Sequence, residues 1–481
     1  MKTAKFLSAL ALTVSLGACK DEYFDRTPLD QPAESTFYTD ETSVRQVLND
    51  AYFTLRASYE FRFAFGDLAS DDVYNSKFNN SANHITINES NVVADNGLVN
   101  DMWNRSYATI SRCNLVLDNI GNIPMNDDTK LRYINEAKFL RALMYFNLVR
   151  IYGDVPLVLK DIKTSQEAYE YGRTPVAQVY EQIIADLKDA EQLPATYAQN
   201  ADIGRATRGA AKGLLAKVYL TLKRYSDASP KLLEVINSGT YRLLDNYADV
   251  FDAARPNNAE VIFAVQYARG FDPVQGNPFV QGAFANEDIG TGVLRRGTGT
   301  FLITDELYNL FATNDTRKAT ITRLTGSRRA YNFTTKYFDK GMTSTVDSGN
   351  DWIELRYADV LLMYAEVQNE LGNTAVAFTY LQQVRTRAGL TTPETLRGNQ
   401  GAMRLAIEQE RRLELYNEGH RWFDLLRTGR LLTVMNAHFA SNLSNDEIGS
   451  GNSVQPYEQL FPVPRYQVNL NPNKITQNPG Y

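Results

Sequence analysis

Apolar residues recur at helical spacing in two long blocks of the chain, and that rhythm is lost in the stretches around them. In the first block Ile134, Ala137, Leu140, Ala142, Tyr145, Leu148 and Val149 return mostly at three- and four-residue steps, which places them on one helix face. Gly153-Asp154-Val155-Pro156 then predicts a stop. Thr174-Pro175 predicts the start of a further helix, with proline in its first turn and Val179, Ile183, Leu187 and Ala190 along one side. A pair of segments at 207–237 is echoed by a pair at 356–388. Ala216, Ala228, Leu232 and Val235 match Ala365, Ala377, Leu381 and Val384 at one constant offset (365 − 216 = 149). In each copy a small residue is followed twelve positions later by another, the tetratricopeptide spacing that lets two antiparallel helices approach closely. Gly372 stands where that repeat wants its turn glycine, and Lys223 stands there in the earlier copy.

The expected fold is therefore mainly α, a tetratricopeptide-like scaffold of stacked hairpins over 40–58, 101–238 and 303–430. A loop-rich, partly β variable lobe is expected from 59–100, 239–300 and 326–352. The run Val261-Ile262-Phe263-Ala264-Val265 predicts a short strand, and 440–481 is polar and proline-marked. Loops this long in a compact protein are functional, packed or disordered, and their many aromatics argue against disorder.

The first residues predict an export signal. Lys2 and Lys5 precede an apolar run from Phe6 to Leu16, too short to span a bilayer, which ends in Leu16-Gly17-Ala18-Cys19. A cysteine directly after two small residues matches the lipobox of bacterial lipoproteins. Residues 1–18 are then removed and Cys19 carries the lipid. Lys20-Asp21-Glu22 resembles the signal that sends Bacteroidota lipoproteins to the cell surface. More than one acyl chain gives a stable anchor.

Composition narrows the function. The net charge of −6 argues against nucleic acid as a main partner. With Cys19 lipidated only Cys113 remains, so no intramolecular disulfide forms and Cys113 is expected to be a small buried apolar residue. The unusual count is aromatic, with 28 Tyr and 23 Phe against 3 His.

Several motifs, in order, carry a family likeness. They are Ala137-Lys138-Phe139-Leu140-Arg141-Ala142 leading to Tyr152-Gly153-Asp154-Val155-Pro156, then 210–220, Arg356-Tyr357-Ala358-Asp359, Glu410-Arg411-Arg412-Leu413-Glu414-Leu415, Glu418-Gly419-His420-Arg421-Trp422-Phe423-Asp424, Leu460-Phe461-Pro462-Val463-Pro464 and Gln477-Asn478-Pro479-Gly480-Tyr481. With the lipobox, they make nearly all of the mature chain, 19–481, resemble the SusD/RagB family of outer-membrane nutrient-binding lipoproteins. The resemblance implies a helical-repeat scaffold, glycan binding without catalysis, and pairing with a SusC-like TonB-dependent transporter that the protein covers as a lid. Ligand-contacting residues vary between members and are not carried over. Peptide capture, as in RagB-like members, and a surface adaptor without a small ligand are the alternative functions. Neighbouring glycoside hydrolase or peptidase genes would separate glycan from peptide.

The residues themselves offer no catalytic, metal or cofactor site. Glu408, Glu410, Arg411, Arg412, Glu414 and Glu418 form the densest charge cluster. Glu408 stands four residues before Arg412, the favourable helical pairing, so structural ion pairs are expected. His84, His420 and His438 are far apart, Asp71-Asp72 lacks the rest of a calcium loop, and Gly290-Thr291-Gly292 lacks a nucleotide fingerprint. A sugar ring has an apolar C–H face and a hydroxyl rim, which flat aromatics beside amides would match. Tyr74, Asn75, Phe78 and His84, with Asn79 and Asn80, form one such mixture. Phe271, Phe279 and Phe284 form a second, and Asp351-Trp352 a third. Trp103 and Trp422 are expected in the core.

Overall fold

A computed structural model describes residues 38–76, 79–284, 297–325, 330–441 and 452–481. The expected signal segment, Cys19, Phe78 and Gly290-Thr291-Gly292 lie outside these residues. The first helix, α1 (Glu41–Phe63), opens on a reciprocal cap in which Asp40 accepts from the Ser43 amide and the Ser43 hydroxyl accepts from the Asp40 amide. Val44, Val47, Leu48, Ala51, Leu55 and Tyr59 bury one face of it. It runs past the predicted boundary at 58 and passes into a π-helical turn at Ala64–Leu68. A short helix follows, α2 (Ala82–Asn88).

The scaffold is a succession of helices, each packed on the next: α1 on α3 (Gly97–Asn119), α3 on α4 (Asp127–Tyr152), α4 on α6 (Val176–Ala190), and α6 on α7 (Arg208–Thr221), with the short α5 (Ser165–Glu170) lying outside that stack. The predicted stop holds, since α4 ends at Tyr152. Pro175 stands just before α6, whose first amide, from Val176, donates to the Asp154 carboxylate at 2.7 Å. Next, α7 pairs with α8 (Tyr225–Ile236).

The chain then leaves the stack and returns to it. Strand β4 (Val261–Val265) leads out and β8 (Trp352–Arg356) leads back, paired antiparallel with an irregularity near Phe263. The 237–351 segment between α8 and β8 is thus an insertion. The stack resumes with α11 (Tyr357–Glu370), which packs directly on α8, then α12 (Thr374–Arg387) and α13 (Gln400–Glu414). Ala216, Ala228, Leu232, Val235 and their counterparts Ala365, Ala377, Leu381 and Val384 are all buried, so the repeat read from the sequence is a pair of stacked hairpins.

The insertion corrects one boundary. The 303–430 block was expected to be mainly helical outside the 326–352 loop, yet 303–325 also belongs to the insertion and helices of the scaffold resume only at Tyr357. Before that lie α9 (Phe279–Ala283), α10 (Asp305–Leu310) and an antiparallel sheet ordered β1-β5-β7-β6, built from β1 (Val73–Tyr74), β5 (Leu302–Ile303), β6 (Ile321–Thr325) and β7 (Ala330–Thr334). A two-stranded ribbon of β2 (Val155–Pro156) and β3 (Arg173–Thr174) closes the turn after α4. The chain ends in α14 (Arg421–Thr428), α15 (Leu431–Ala440) and α16 (Arg465–Leu470). Its tail is tied to the scaffold where Phe461 donates to the Ile151 carbonyl at 2.8 Å.

Buried charges lock the insertion to the scaffold. Arg356, the last residue of β8, donates to Glu418 (2.7 Å), Glu260 (2.9 Å) and Glu414 (2.6 Å). Arg317 reaches Asp315, Glu410 and Glu414, and Lys336 reaches Glu418, all of them buried. A backbone crossing adds to this. A Cβ on Gly66 would lie 2.3 Å from the Gly419 carbonyl oxygen, so only glycine lets the π-helical turn meet the 417–420 turn.

Candidate ligand-binding site

The structure separates the sequence-predicted site residues into three groups. Tyr74, Phe279, Phe284 and Trp352 are corrected to core positions. Trp352 is 2% exposed, stacked on Tyr337 at 5.8 Å between ring centroids, with Phe279 against it edge-on at 5.4 Å. Tyr74 lies in β1, and Phe284 packs on Phe333. Their rings are covered on both faces, because a partly β lobe set on helices needs a core of its own. None of the four offers a face to a sugar in this arrangement. Trp103, Trp422 and Cys113 are buried as expected, and burial pushes the Cys113 thiol up to about 12.

Asn75 and His84 belong to a polar surface that draws the first two loop blocks together. The Asn79 amide donates to Asn75 Oδ1 at 2.8 Å and to Thr300 Oγ1 at 3.0 Å, and Thr298 and Thr300 share a hydrogen bond at 2.8 Å. Asn80 is exposed beside them, and the Ser76 amide donates to the Gly299 carbonyl at 2.9 Å. His84 Nδ1 pairs with Ser81 Oγ at 2.9 Å while its ring meets the edge of Phe301. Burial lowers the His84 pKa to about 4, so the imidazole is neutral at physiological pH and can both donate and accept. Amides and hydroxyls in alternation, two of them on half-buried asparagines, are groups that can pair with a hydroxyl rim.

Phe271 stands apart from both groups. It lies on a hairpin whose stem is the Ala268–Gln275 bridge, and it is exposed, as is Val274. The hairpin is held from below. The Tyr267 amide donates to Asp351 Oδ1 at 2.9 Å, the Tyr267 hydroxyl to the Arg56 carbonyl at 3.3 Å, and Arg269 pairs with Asp339. Burial raises the Asp351 pKa to about 7. The stem lines a groove of about 350 Å³ together with α1 and the 201–205 turn. Sequence reading missed this groove because Phe53 and Arg56 were counted as scaffold. The available signal was spacing: Asn49, Phe53 and Arg56 fall at i, i+4 and i+7, off the apolar stripe of α1.

The charge cluster does structural work, with partners other than those expected. Glu408 pairs with Arg430 at 2.9 Å instead of with Arg412, which reaches Asp72 (2.6 Å), Asp71 (2.9 Å) and Glu306 (2.8 Å). Distant acids captured Arg412 because the first loop block folds back onto α13. Asp71, Glu306, Glu408, Arg412 and Arg430 line a cleft of about 520 Å³, and its carboxylates are held by arginines instead of standing free as acid and base.

Residues 318–481 match the SusD family, and residues 22–220 match the family described as "Starch-binding associating with outer membrane". A SusD-like protein of Formosa agariphila is 29% identical over 532 residues, covering 98% of each chain. Among solved structures, a SusD-like protein from Bacteroides fragilis is 25% identical, with a TM-score of 0.78 over 95% of this chain and 100% of that one. A laminarin-binding SusD-like protein is 27% identical, with a TM-score of 0.76 over 92% of this chain and 100% of that one. Two family matches at 22–220 and 318–481, relatives aligned end to end, and a shared helical-repeat architecture lead to one conclusion: the chain belongs to the SusD/RagB family.

Proposed function

We propose that this protein is a cell-surface lipoprotein of the outer membrane that binds glycan and passes it to a SusC-like TonB-dependent transporter, without catalysing any reaction. The observation that carries the reading is the amide and hydroxyl surface of Asn75, Asn79, Asn80, His84 and Thr298, backed by the buried Thr300, where two loop blocks far apart in sequence meet. It suits a sugar's hydroxyl rim, and a shallow polar surface suits a protein that must release its cargo. The laminarin-binding relative supports a glycan ligand, and the match to a starch-binding family associated with the outer membrane supports an outer-membrane setting. Among the described residues no helix is long and apolar enough to cross a membrane, so attachment in this reading rests on Cys19.

Anchoring and partnership are tested together. In the native host, a mild detergent extract of the outer membrane should yield this protein in complex with a large β-barrel, and Cys19→Ala should free it from the membrane fraction. Recovery of monomer alone across several detergents, with the neighbouring transporter expressed, removes the delivery role. A Cys19→Ala protein still in the outer membrane removes the lipid anchor.

A further inference from the structure

The groove beside α1 has a feature that the polar loop surface lacks, an aromatic face next to a cation without an anionic partner. Phe53 is 56% exposed on its rim, and the hairpin that forms one wall carries Phe271 and Val274, 54% and 58% exposed. The Arg56 guanidinium lies over the Phe53 ring at 4.5 Å and reaches the Gln275 carbonyl and side-chain oxygen through Nη1, both at 3.3 Å. Its Nε and Nη2 donate to no described residue. Among the described residues no carboxylate stands within ion-pair distance of it, and Glu60, one turn further on, acts only through space.

The other cation lining the groove, Arg205, is committed to Glu136 and Asp202, which leaves Arg56 as the lining cation with donors to spare among the described residues. A planar guanidinium with two free donors on one edge matches an oxyanion, and stacking on Phe53 holds it at that angle.

We propose that this groove is a second carbohydrate site, selective for a pyranose bearing an oxyanion, with the sugar's apolar face on Phe53 and its carboxylate or sulfate ester on Arg56. The inference rests on the glycan-binding reading and adds a ligand class to it. Calorimetric titration of the purified protein with trigalacturonate, a sulfated galactan tetrasaccharide and neutral laminarihexaose tests it. At least one of the two acidic oligosaccharides should bind, and the one that does identifies the oxyanion. Arg56→Gln and Phe53→Ala should each weaken that binding by about tenfold or more, and raising the salt tenfold should weaken it further. Phe53→Ala removes an exposed ring without touching the hairpin contacts of Arg56, so an unchanged thermal melt separates lost recognition from lost structure. Acidic oligosaccharides that fail to bind while laminarihexaose binds overturn this groove alone. Acidic binding indifferent to both substitutions overturns it as well. Failure of both acidic sugars overturns this groove, and failure of all three together with a wider panel of oligosaccharides overturns the glycan reading beneath it.

Discussion

Lys223 adopts the left-handed backbone conformation of Gly372, its counterpart in the later repeat, at φ 57° against 84°. The first copy of the hairpin turn therefore keeps the geometry without the glycine. A side chain in that region costs about 1–2 kcal/mol, partly offset because glycine loses more freedom on folding. Lys223→Gly should raise stability by about 0.5–1 kcal/mol, and Gly372→Ala should lower it by about 1 kcal/mol. Denaturant midpoints of the two variants check both signs.

Arg356 is the pivot of the buried network. Replacing it with Met would leave Glu260, Glu414 and Glu418 facing one another with fewer cations, in a site without solvent. Removing one partner of a buried ion pair costs about 3–5 kcal/mol. Arg356→Met should lose at least that much in chemical denaturation. Arg397→Met, which breaks an exposed pair with Glu394, should leave the transition where it is.

Asp67 predicts a pH dependence of definite sign. Burial, and then the neighbouring Asp72, raise its pKa from 3.8 to about 8, even though the Gly419 amide donates to it at 2.8 Å. The folded state thus holds a proton that the unfolded chain releases near pH 4, and the stability this group supplies is lost as pH rises from about 4 to about 8. Asp351, raised to about 7, adds to the loss over most of that window. Unfolding free energies at pH 5 and pH 8 should show a smaller difference in Asp67→Asn than in the wild type. An identical difference would place the Asp67 pKa near its ordinary value.

The scaffold was legible because its signals are local and periodic. The 149-residue offset, the stop at Gly153 and the strand at Val261–Val265 each depend on a few neighbouring residues. The variable lobe was not legible, for a physical reason. An aromatic that plugs a small irregular core and one that waits for a sugar occupy the same kind of sequence, so Trp352 and Phe279 resembled Phe271 until their neighbours were known. Ion-pair partners were hidden in the same way, since Arg412 meets acids from residues 71, 72 and 306 instead of its own helix. Phe53 was overlooked because helical periodicity invites assignment of a whole segment to scaffold, although its position on α1 faces away from the core.

The central claim is that the meeting loops of the insertion and the 75–84 segment capture glycan. Its most direct test is titration of the purified protein against a panel of oligosaccharides, with Asn79→Ala and Asn80→Ala beside the wild type. The account predicts binding of a glycan with Kd between about 1 mM and about 1 μM, roughly −4 to −8 kcal/mol, lost or weakened at least tenfold in these variants with little change in the thermal melt. Glycan binding of full strength in both variants, or none to any sugar by a folded wild type, would contradict it.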